Sequence, residues 1–585
     1  MKELIEKKYN DLFTKYHFEP PVDTKIINSV IKSALVSFLR DKKTPAIYCY
    51  GGHTKMLMAD FMFELKNVKL IIDNYYPSDG SKKQGFRIIK DEYIETERID
   101  AIILSSYKYR ESISKRLEIE HKGIPYLDLY EEIEKAGIVL HSDYYYSGHP
   151  FHYYKLLNSL QNSFADKPNE ETIKEIIFEY IRIKDFTSAI SWTQKLVDMY
   201  RSESASSMLR DIKELYGLVL QGYSLFSENN VIMLLFDGLR RRDFCMDKMP
   251  GIVGQVKQEW TYYENMYAYS TSTFESLIPT YSQNTDQKTK YYEKNYIHEC
   301  DCEFIQVAKQ QGRDIYFYTD VEHYIESDRI HYSDAFLTLT EKLWQLLMDG
   351  VDCKNGLFYL HSLYETHYSF CNPYTKGKLI SEGTAILFDF LPQKGGELRT
   401  NYVRQQNDAL AYVNDVVSPI LHELSCNIVL FADHGNLILE NGSCLENIST
   451  SKFLLDEEWI QIPMAVKMPN KEKKVVEGMH SLLELSDIIS QLLNQNYKPR
   501  REANIIKCGR SQLYNPDFKY IYNKLGLKKY LMAFEGFIFS DGYKLIVFSD
   551  GSKELFSVDS DELIEDEEMK DLLYKKIVEQ VTVIN

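Results

Sequence analysis

The sequence predicts an α/β protein of several domains, in which parallel sheets are wrapped by helices. Three observations carry this prediction. Short apolar runs alternate with helical stretches between residues 44 and 130, and a wholly helical segment occupies 150–228. From residue 231 onward, continuous apolar runs recur, each ending in Asp, His or Glu. The chain has 585 residues, more than one core organises, and a prior of roughly 150 residues per domain suggests three or four units.

In the first region Ala46–Tyr50, Val68–Asp73 and Ile99–Leu104 read as strands. Strands separated by helices imply a parallel sheet with crossover connections. The first runs into Gly51-Gly52-His53-Thr54-Lys55, where a helix is expected to begin. Glycine lets the backbone turn tightly there, and a helix N-terminus attracts anions. With Gly51, Gly52 and an Asp73 after the second strand, the stretch resembles the small Rossmann-like domains of bacterial polysaccharide-biosynthesis proteins. The full GxGxxG is missing, so a Rossmann-like domain over 1–140 is expected without an assigned cofactor. It reads as a structural or partner-docking module, with nucleotide-sugar or cofactor binding as the alternative.

Residues 141–228 are expected to form a helical connector. Glu170–Tyr200 places apolar residues at helical spacing and turns near Asp185, which makes a helix pair but not a repeat array.

Composition narrows the partners. Hydrophobic residues make up 44% of the chain and charged residues 26%, as in an ordinary globular protein. A net charge of −17 argues against nucleic acid, whose binders carry a basic face to neutralise phosphates. No stretch approaches the roughly 18–20 uninterrupted apolar residues of a transmembrane segment. The first residues, MKELIEKKYNDLFTKYHF, are charged throughout and lack an apolar signal-peptide core. The nine cysteines are scattered, odd in number and without CxxC pairs, which fits reduced thiols and a cytoplasmic location.

The chemistry lies beyond residue 231. Val231–Phe236 is a continuous apolar run, the mark of a central strand buried on both faces. It ends in Asp237-Gly238-Leu239-Arg240, and in open α/β sheets functional groups collect at the carboxyl ends of strands. A carboxylate followed by glycine is well placed to meet a cation, although a lone Asp after a strand is more often a cap. Ser270-Thr271-Ser272-Thr273 precedes an apolar turn. Such hydroxyls can cap a helix, and a nucleophile there gains backbone donors and a positive dipole end. Asn427–Ala432 delivers Asp433-His434-Gly435-Asn436, adjacent ligands for a divalent transition metal. Phe358–Leu360 leads into His361, Glu365 and His367. One such strand end is ordinary; three in one domain point to a site.

In their order these elements resemble the alkaline phosphatase/sulfatase superfamily, especially its phosphoethanolamine and phosphoglycerol transferase branches. Ala432–Asn436 is similar to the family's SDHGE/N metal motif, and Leu360–His367 to the segment that contacts the transferred group. Ile462–Val466, Ser481–Leu493 and the strands around Asp541–Ile546 and Glu554–Phe556 follow in the family's order. The resemblance implies an alkaline-phosphatase-like α/β/α sandwich over 229–510 and a sulfatase-type, β-containing subdomain over 511–585. It implies one divalent metal ion, Zn or Mn ahead of Ca or Mg, held by Asp237, Thr273, Asp433 and His434. Thr273 would be the nucleophile, with Thr271 and Ser272 as alternatives. His367 and His361 would hold the phosphoryl oxygens or protonate the leaving alkoxide. Arg240 would meet phosphate or form a salt bridge, and Glu365 would join a second metal in a two-metal variant.

The departures from the family shape the expected activity. No C/S-x-P-S-R signature is present, so formylglycine sulfatase chemistry is not expected. Leu437–Ser449 supplies no His or Lys where the family often has one, leaving His480 as a substitute. The expected function is phospho-transfer or phosphodiester cleavage through threonine on a phosphorylated glycan or head-group ester, in cell-surface polysaccharide modification. A sulfatase-like hydrolase (phosphatase or sulfatase) with water as acceptor, and a catalytically silent sulfatase-fold scaffold, are the alternatives. The expected partner is a phosphorylated small molecule or glycan.

Overall fold

The computed structural model describes the chain apart from residues 19–23, 52, 55–56, 59–60, 75–81, 84–85, 108, 139–149, 286–296, 320–323, 334–336, 369, 377–396, 439–449, 470, 512–527, 559, 561 and 585. Gly52, Lys55 and most of Leu437–Ser449 therefore lie outside the described residues. The chain divides into two compact units, Glu19–His152 with Asp334–Leu337, and Met1–Phe18 with Tyr153–Ser333 and Thr338–Asn585.

The smaller unit holds β1 (Pro45–Tyr48), β2 (Leu70–Ile72), β3 (Lys82–Lys83), β4 (Phe86–Ile89), β5 (Ala101–Leu104) and β6 (Tyr126–Asp128). Their order is β3-β4-β2-β1-β5-β6, parallel throughout except for the β3–β4 pair. β1, β2 and β5 are wholly buried because each face has its own core. Ile47 and Ile103 pack with the helix Thr24–Leu39, while Ala46, Tyr48, Ile102 and Leu104 pack on the opposite side. The order reverses at β1, as in doubly wound sheets. Asp73, at the end of β2, accepts from the Tyr50 N–H at 2.8 Å.

In the larger unit the strands are β7 (Val231–Phe236), β8 (Thr261–Tyr267), β9 (Ile297–His298), β10 (Asp314–Tyr318), β11 (Ile325–Glu326), β12 (Ile330–Tyr332), β13 (Gly356–Ser362), β14 (Asn427–Phe431), β15 (Gln461–Lys467), β16 (Lys474–Ser481), β17 (Ile505–Arg510), β18 (Phe534–Phe539), β19 (Tyr543–Phe548) and β20 (Lys553–Ser557). Eight form a sheet in the order β12-β10-β13-β7-β14-β15-β8-β16, and β9 pairs with β11. Within the large sheet only β15 runs against its neighbours. β7 lies between β13 and β14, with Leu235 opposite both His361 and Phe431. The residues that follow these three strands therefore leave the sheet along one edge.

β17–β20 make an antiparallel sheet with a core on each face. Phe537, Phe539, Leu545 and Leu555 pack on Leu573 and Ile577 of the helix Glu567–Ile584. The alternate residues Ile506, Cys508, Phe534, Ile538 and Ile546 pack with Tyr267, Phe370, Tyr402 and Leu455, as a period of two requires.

The boundaries differ from the expected domain ranges. The helix Lys2–Tyr16 buries Ile5, Tyr9, Leu12 and Phe13 and bonds the helix Glu203–Ser224 through Lys8–Glu214 at 2.7 Å and Tyr16–Asp211 at 2.6 Å. The smaller unit consequently begins at Glu19 and not at residue 1. Helices Glu170–Arg182, Phe186–Tyr200 and Glu203–Ser224 are no free-standing connector. They share one compact unit with the sheet, because their apolar stripes, Ile173, Ile176, Ile177 and Tyr180 among them, need a covering surface. Among the described residues no helix is long and apolar enough to cross a membrane.

Asp185 caps the helix Phe186–Tyr200, its Oδ1 accepting from Ser188 N at 2.9 Å. Burial pushes its carboxyl from 3.8 up to about 6. A carboxyl raised in this way costs nothing below its unfolded value and is ionised at a cost above its folded one. Native stability therefore falls as pH climbs from about 4 to about 6. Asp185→Asn keeps a capping oxygen and removes the charge. It should stabilise the protein by up to roughly 3 kcal/mol at neutral pH, an advantage that vanishes near pH 4 in urea unfolding.

Candidate active site

Asp237 is the first residue beyond β7 and is fully buried. Its backbone N–H donates to Ser362 O at 3.1 Å, tying it to the end of β13. Gly238 follows with φ 69°, a left-handed conformation that suits glycine. A Cβ at this position would also lie 2.5 Å from Asn436 Nδ2. Gly238 N donates to Asp433 Oδ1 at 3.2 Å, and Asn436 Nδ2 donates to Gly238 O at 2.6 Å and to Thr366 O at 3.3 Å. The three strand-end loops are thus laced together through backbone groups.

Thr273 opens the helix Thr273–Ser282. Its Oγ1 lies 3.1 Å from Asp237 Oδ2 and 3.2 Å from His434 Nε2. Of the three candidate hydroxyls, Thr273 has these bonds; Ser272 is the residue before the helix and caps it with no side-chain bond. Ser276, one turn on, donates its hydroxyl to Asp433 O at 2.7 Å, fixing the helix against the end of β14. Glu275 is buried beside it, accepting from Ser511 N at 3.1 Å and from Ser270 Oγ at 3.4 Å. This joins the helix's first turn to the residue after β17.

The histidines converge on the same point. His361 Nε2 is 2.8 Å from Asp237 Oδ2, and His361 is buried. It therefore sits as a partner of the carboxylate. His367 Nε2 is 3.8 Å from Asp237 Oδ1, and His434 Nε2 is 3.6 Å from that oxygen and 3.5 Å from Asp433 Oδ2. His434 Nδ1 lies 2.6 Å from Gly435 O and His367 Nδ1 3.3 Å from Tyr368 O. A carbonyl only accepts, so these contacts assign the proton to Nδ1 and leave a lone pair on each Nε2.

Burial resists charge on Asp237, but His367, His361 and His434 outweigh it and hold its carboxyl well below the usual carboxylate range. Burial and the neighbouring charge of Asp237 push the Asp433 carboxyl up to about 6. Burial also lowers His367, partly offset by Asp237. Two carboxyls close together in a dry site repel when both are ionised, and a cation relieves that repulsion.

The donor set suits a divalent ion. Ligand atoms of Asp237, His367 and His434 all lie within 4.8 Å of one another, and Asp433 Oδ2 is buried with no hydrogen-bond partner among the described residues. Carboxylate oxygens and imidazole nitrogens are the ligands that zinc and its neighbours take. The predicted Asp237, Thr273, Asp433 and His434 are all brought together, and His367 joins them.

Other candidates lie elsewhere. Arg240 is buried, bonding Asp243 at 2.5 Å, Glu458 at 2.9 Å and Gln406 at 3.0 Å, so of the two readings it takes the salt bridge. Both oxygens of Glu365 are engaged, by Tyr154 OH at 2.6 Å, Leu339 N at 3.0 Å and Ser362 Oγ at 3.2 Å, bonds that tie it to its surroundings. His480 lies on β16, four strands from β7 and so roughly 19 Å away across the sheet. It bonds Glu484 at 3.3 Å and Glu477 O at 3.2 Å. It therefore does not stand in for a downstream base.

The sequence reading missed Glu458, and it placed Asn436 and Ser276 in their motifs without foreseeing the bonds they make to Gly238 and Asp433. Asn436 follows the Asp-His-Gly run directly, which was its available signal. Glu458 acts through its carboxylate, which accepts from Arg240 at 2.9 Å and from Ile438 N at 2.9 Å, and through its backbone: a Cβ on Gly435 would lie 1.9 Å from Glu458 O, so only glycine allows this approach.

No family model matches the chain, and no curated protein matches it. Solved structures similar to it include phosphonate monoester hydrolase SpPMH from Silicibacter pomeroyi, with TM-score 0.45 and 11% identity over 60% of this chain and 94% of that one. A 2-O GAG sulfatase gives TM-score 0.42 and 12% identity over 61% of this chain and 91% of its own. The C-terminal periplasmic domain of EcEptC from Escherichia coli, in complex with Zn, gives TM-score 0.33 and 15% identity over 47% of this chain and 86% of its own.

Proposed function

We propose that the larger unit is a metal-dependent phosphoryl-transfer enzyme of the alkaline phosphatase/sulfatase superfamily, with Thr273 as its nucleophile. One observation carries the reading. The Thr273 hydroxyl, at a helix N-terminus, lies within 3.1 Å of Asp237 Oδ2 and 3.2 Å of His434 Nε2, beside a buried Asp433 oxygen that has no hydrogen-bond partner among the described residues. A structural threonine needs neither a second carboxylate nor an imidazole lone pair facing it.

Asp237, Asp433, His434 and His367 would hold the ion. When bound, it supplies the positive charge that lowers the pKa of a hydroxyl and screens phosphoryl oxygens. The chain's own residues do the rest by positioning. Asp237 Oδ2 accepts the Thr273 hydroxyl bond and aims the oxygen, whose proton passes to water as the hydroxyl ionises. His361, bonded to the same carboxylate, fixes its orientation. The helix N-terminus places backbone donors beside the developing phosphoryl charge. The threonine oxygen forms a bond to phosphorus as the bond to the leaving alkoxide breaks, and the alkoxide takes a proton from water. Water or an acceptor hydroxyl then displaces the threonine oxygen and restores it. The substrate class is a phosphodiester of a small alcohol or sugar, as the resemblance of the motifs implies, and the net charge of −17 favours such a molecule over nucleic acid.

Brief exposure of the zinc-loaded protein to a phosphodiester should leave a phosphoryl adduct on Thr273 in tandem mass spectra. Thr273→Ala should lose the adduct and at least about a thousand-fold in turnover, while Thr273→Ser keeps both. An adduct persisting in Thr273→Ala would remove Thr273 from the role.

Zinc or manganese at a hundred times its dissociation constant should stabilise the metal-free protein by about 2.7 kcal/mol. Asp433→Asn should abolish that gain. In the metal-free state the same variant should be at least as stable as the parent at neutral pH, because it removes one of two repelling charges. A metal-induced melting shift unchanged in Asp433→Asn would exclude it from the ligand set.

A further inference from the structure

The helix Pro150–Asp166 turns one face toward the segment that carries His367. Tyr154 OH donates to Glu365 Oε1 at 2.6 Å, Asn158 Nδ2 donates to Thr375 O, and Gln161 Nε2 donates to Pro373 O at 2.9 Å. The spacing of four and then three residues aligns the three side chains on one helical stripe. Tyr154 and Asn158 are buried, and an unmade bond at a buried polar group is costly, so these contacts are held.

Their targets bracket His367. Glu365 also accepts from Leu339 N at 3.0 Å and Ser362 Oγ at 3.2 Å. Lys342, itself buried, donates Nζ to His361 O at 2.7 Å. Between the two grips the chain folds back on itself: His367 N bonds Leu363 O at 3.0 Å, and Cys371 N bonds Tyr364 O at 2.7 Å. The backbone of His367 is therefore held from Glu365 on one side and from Pro373 and Thr375 on the other.

We infer that the Tyr154–Asn158–Gln161 face is a positioning surface for His367, and that the helical layer is a working part of the metal centre. None of the three side chains reaches the reacting atoms. They act through the segment 365–375, and losing them lets the His367 imidazole drift from the other ligands. The inference rests on the proposed function for its metal readout, but its structural part stands apart from it.

The test compares Tyr154→Phe with Tyr9→Phe in the full chain. Tyr9 is also buried, and its hydroxyl bonds Arg182 O at 3.3 Å, within the helical layer and away from the site segment. Tyr154→Phe should weaken zinc binding about 10-fold by chelator competition, and lower kcat with KM unchanged. In the metal-free protein it should speed hydrogen exchange at the amides of His367 and Cys371. Tyr9→Phe should leave all three at parent values. Equal effects of the two variants, or none from Tyr154→Phe, would overturn the inference. If Tyr154→Phe does not fold, Gln161→Leu decides the matter by the same readouts. If the parent protein takes up no zinc, the proposed function fails, while exchange at His367 and Cys371 still decides the positioning role.

Discussion

The structure of the larger unit is organised around one electrostatic problem, two carboxyl groups placed side by side in a dry sheet edge. Asp237 and Asp433 follow adjacent parallel strands, and both are fully buried. Taking an ion out of water costs several kcal/mol even after the protein relaxes. The surroundings answer that cost unequally. Asp237 has three imidazoles around it that hold its carboxyl low, whereas Asp433 has one oxygen on the Gly238 N–H and the other without a hydrogen bond among the described residues. Beside the charge of Asp237, that oxygen meets imidazole nitrogens within reach of one point, the chemistry that a cation would match.

Around this centre the backbone does most of the holding. Ser276 bonds Asp433 O, Asn436 bonds Gly238 O, and Gly435 N donates to Trp459 O at 2.6 Å. Arg240 then anchors the loop after β7 to Asp243, Gln406 and Glu458. Because a buried guanidinium with three partners has little freedom to move, the loop bearing Asp237 and the turn bearing His434 share one rigid support. The helical layer adds a third support through Tyr154 and Glu365. The candidate ligands need not be stiff themselves when each is fixed by neighbours.

Much of this was legible in the sequence. Val231–Phe236 and Asn427–Phe431 announced strands buried on both faces, and the polar residues directly after them had to emerge at the sheet edge. Thr273 was legible from its place before an apolar turn. His361 and His367 were legible as members of the site, but their roles were not. His361 faces Asp237, and His367 stands among the candidate ligands, distinctions set by side-chain direction rather than by spacing. Arg240 was left open between phosphate and a salt bridge, and Glu365 between a second metal and none, for a related cause. Beside the local Asp243 and Ser362, each has a deciding partner far along the chain, Glu458 at 218 residues and Tyr154 at 211, and contacts that far apart leave no periodic trace.

By itself, then, the sequence determined the α/β class, the strands that carry the site, and the chemical types gathered at their ends. Those features follow from local apolar patterning and from the rule that a buried strand must release its polar groups at its terminus. The tertiary structure alone decided which of those groups face one another, which are consumed in internal ion pairs, and that the helices from Glu170 to Ser224 share the larger unit with the site. These outcomes depend on strand order and on long-range packing, through which a few ångströms separate a ligand from a buried salt bridge.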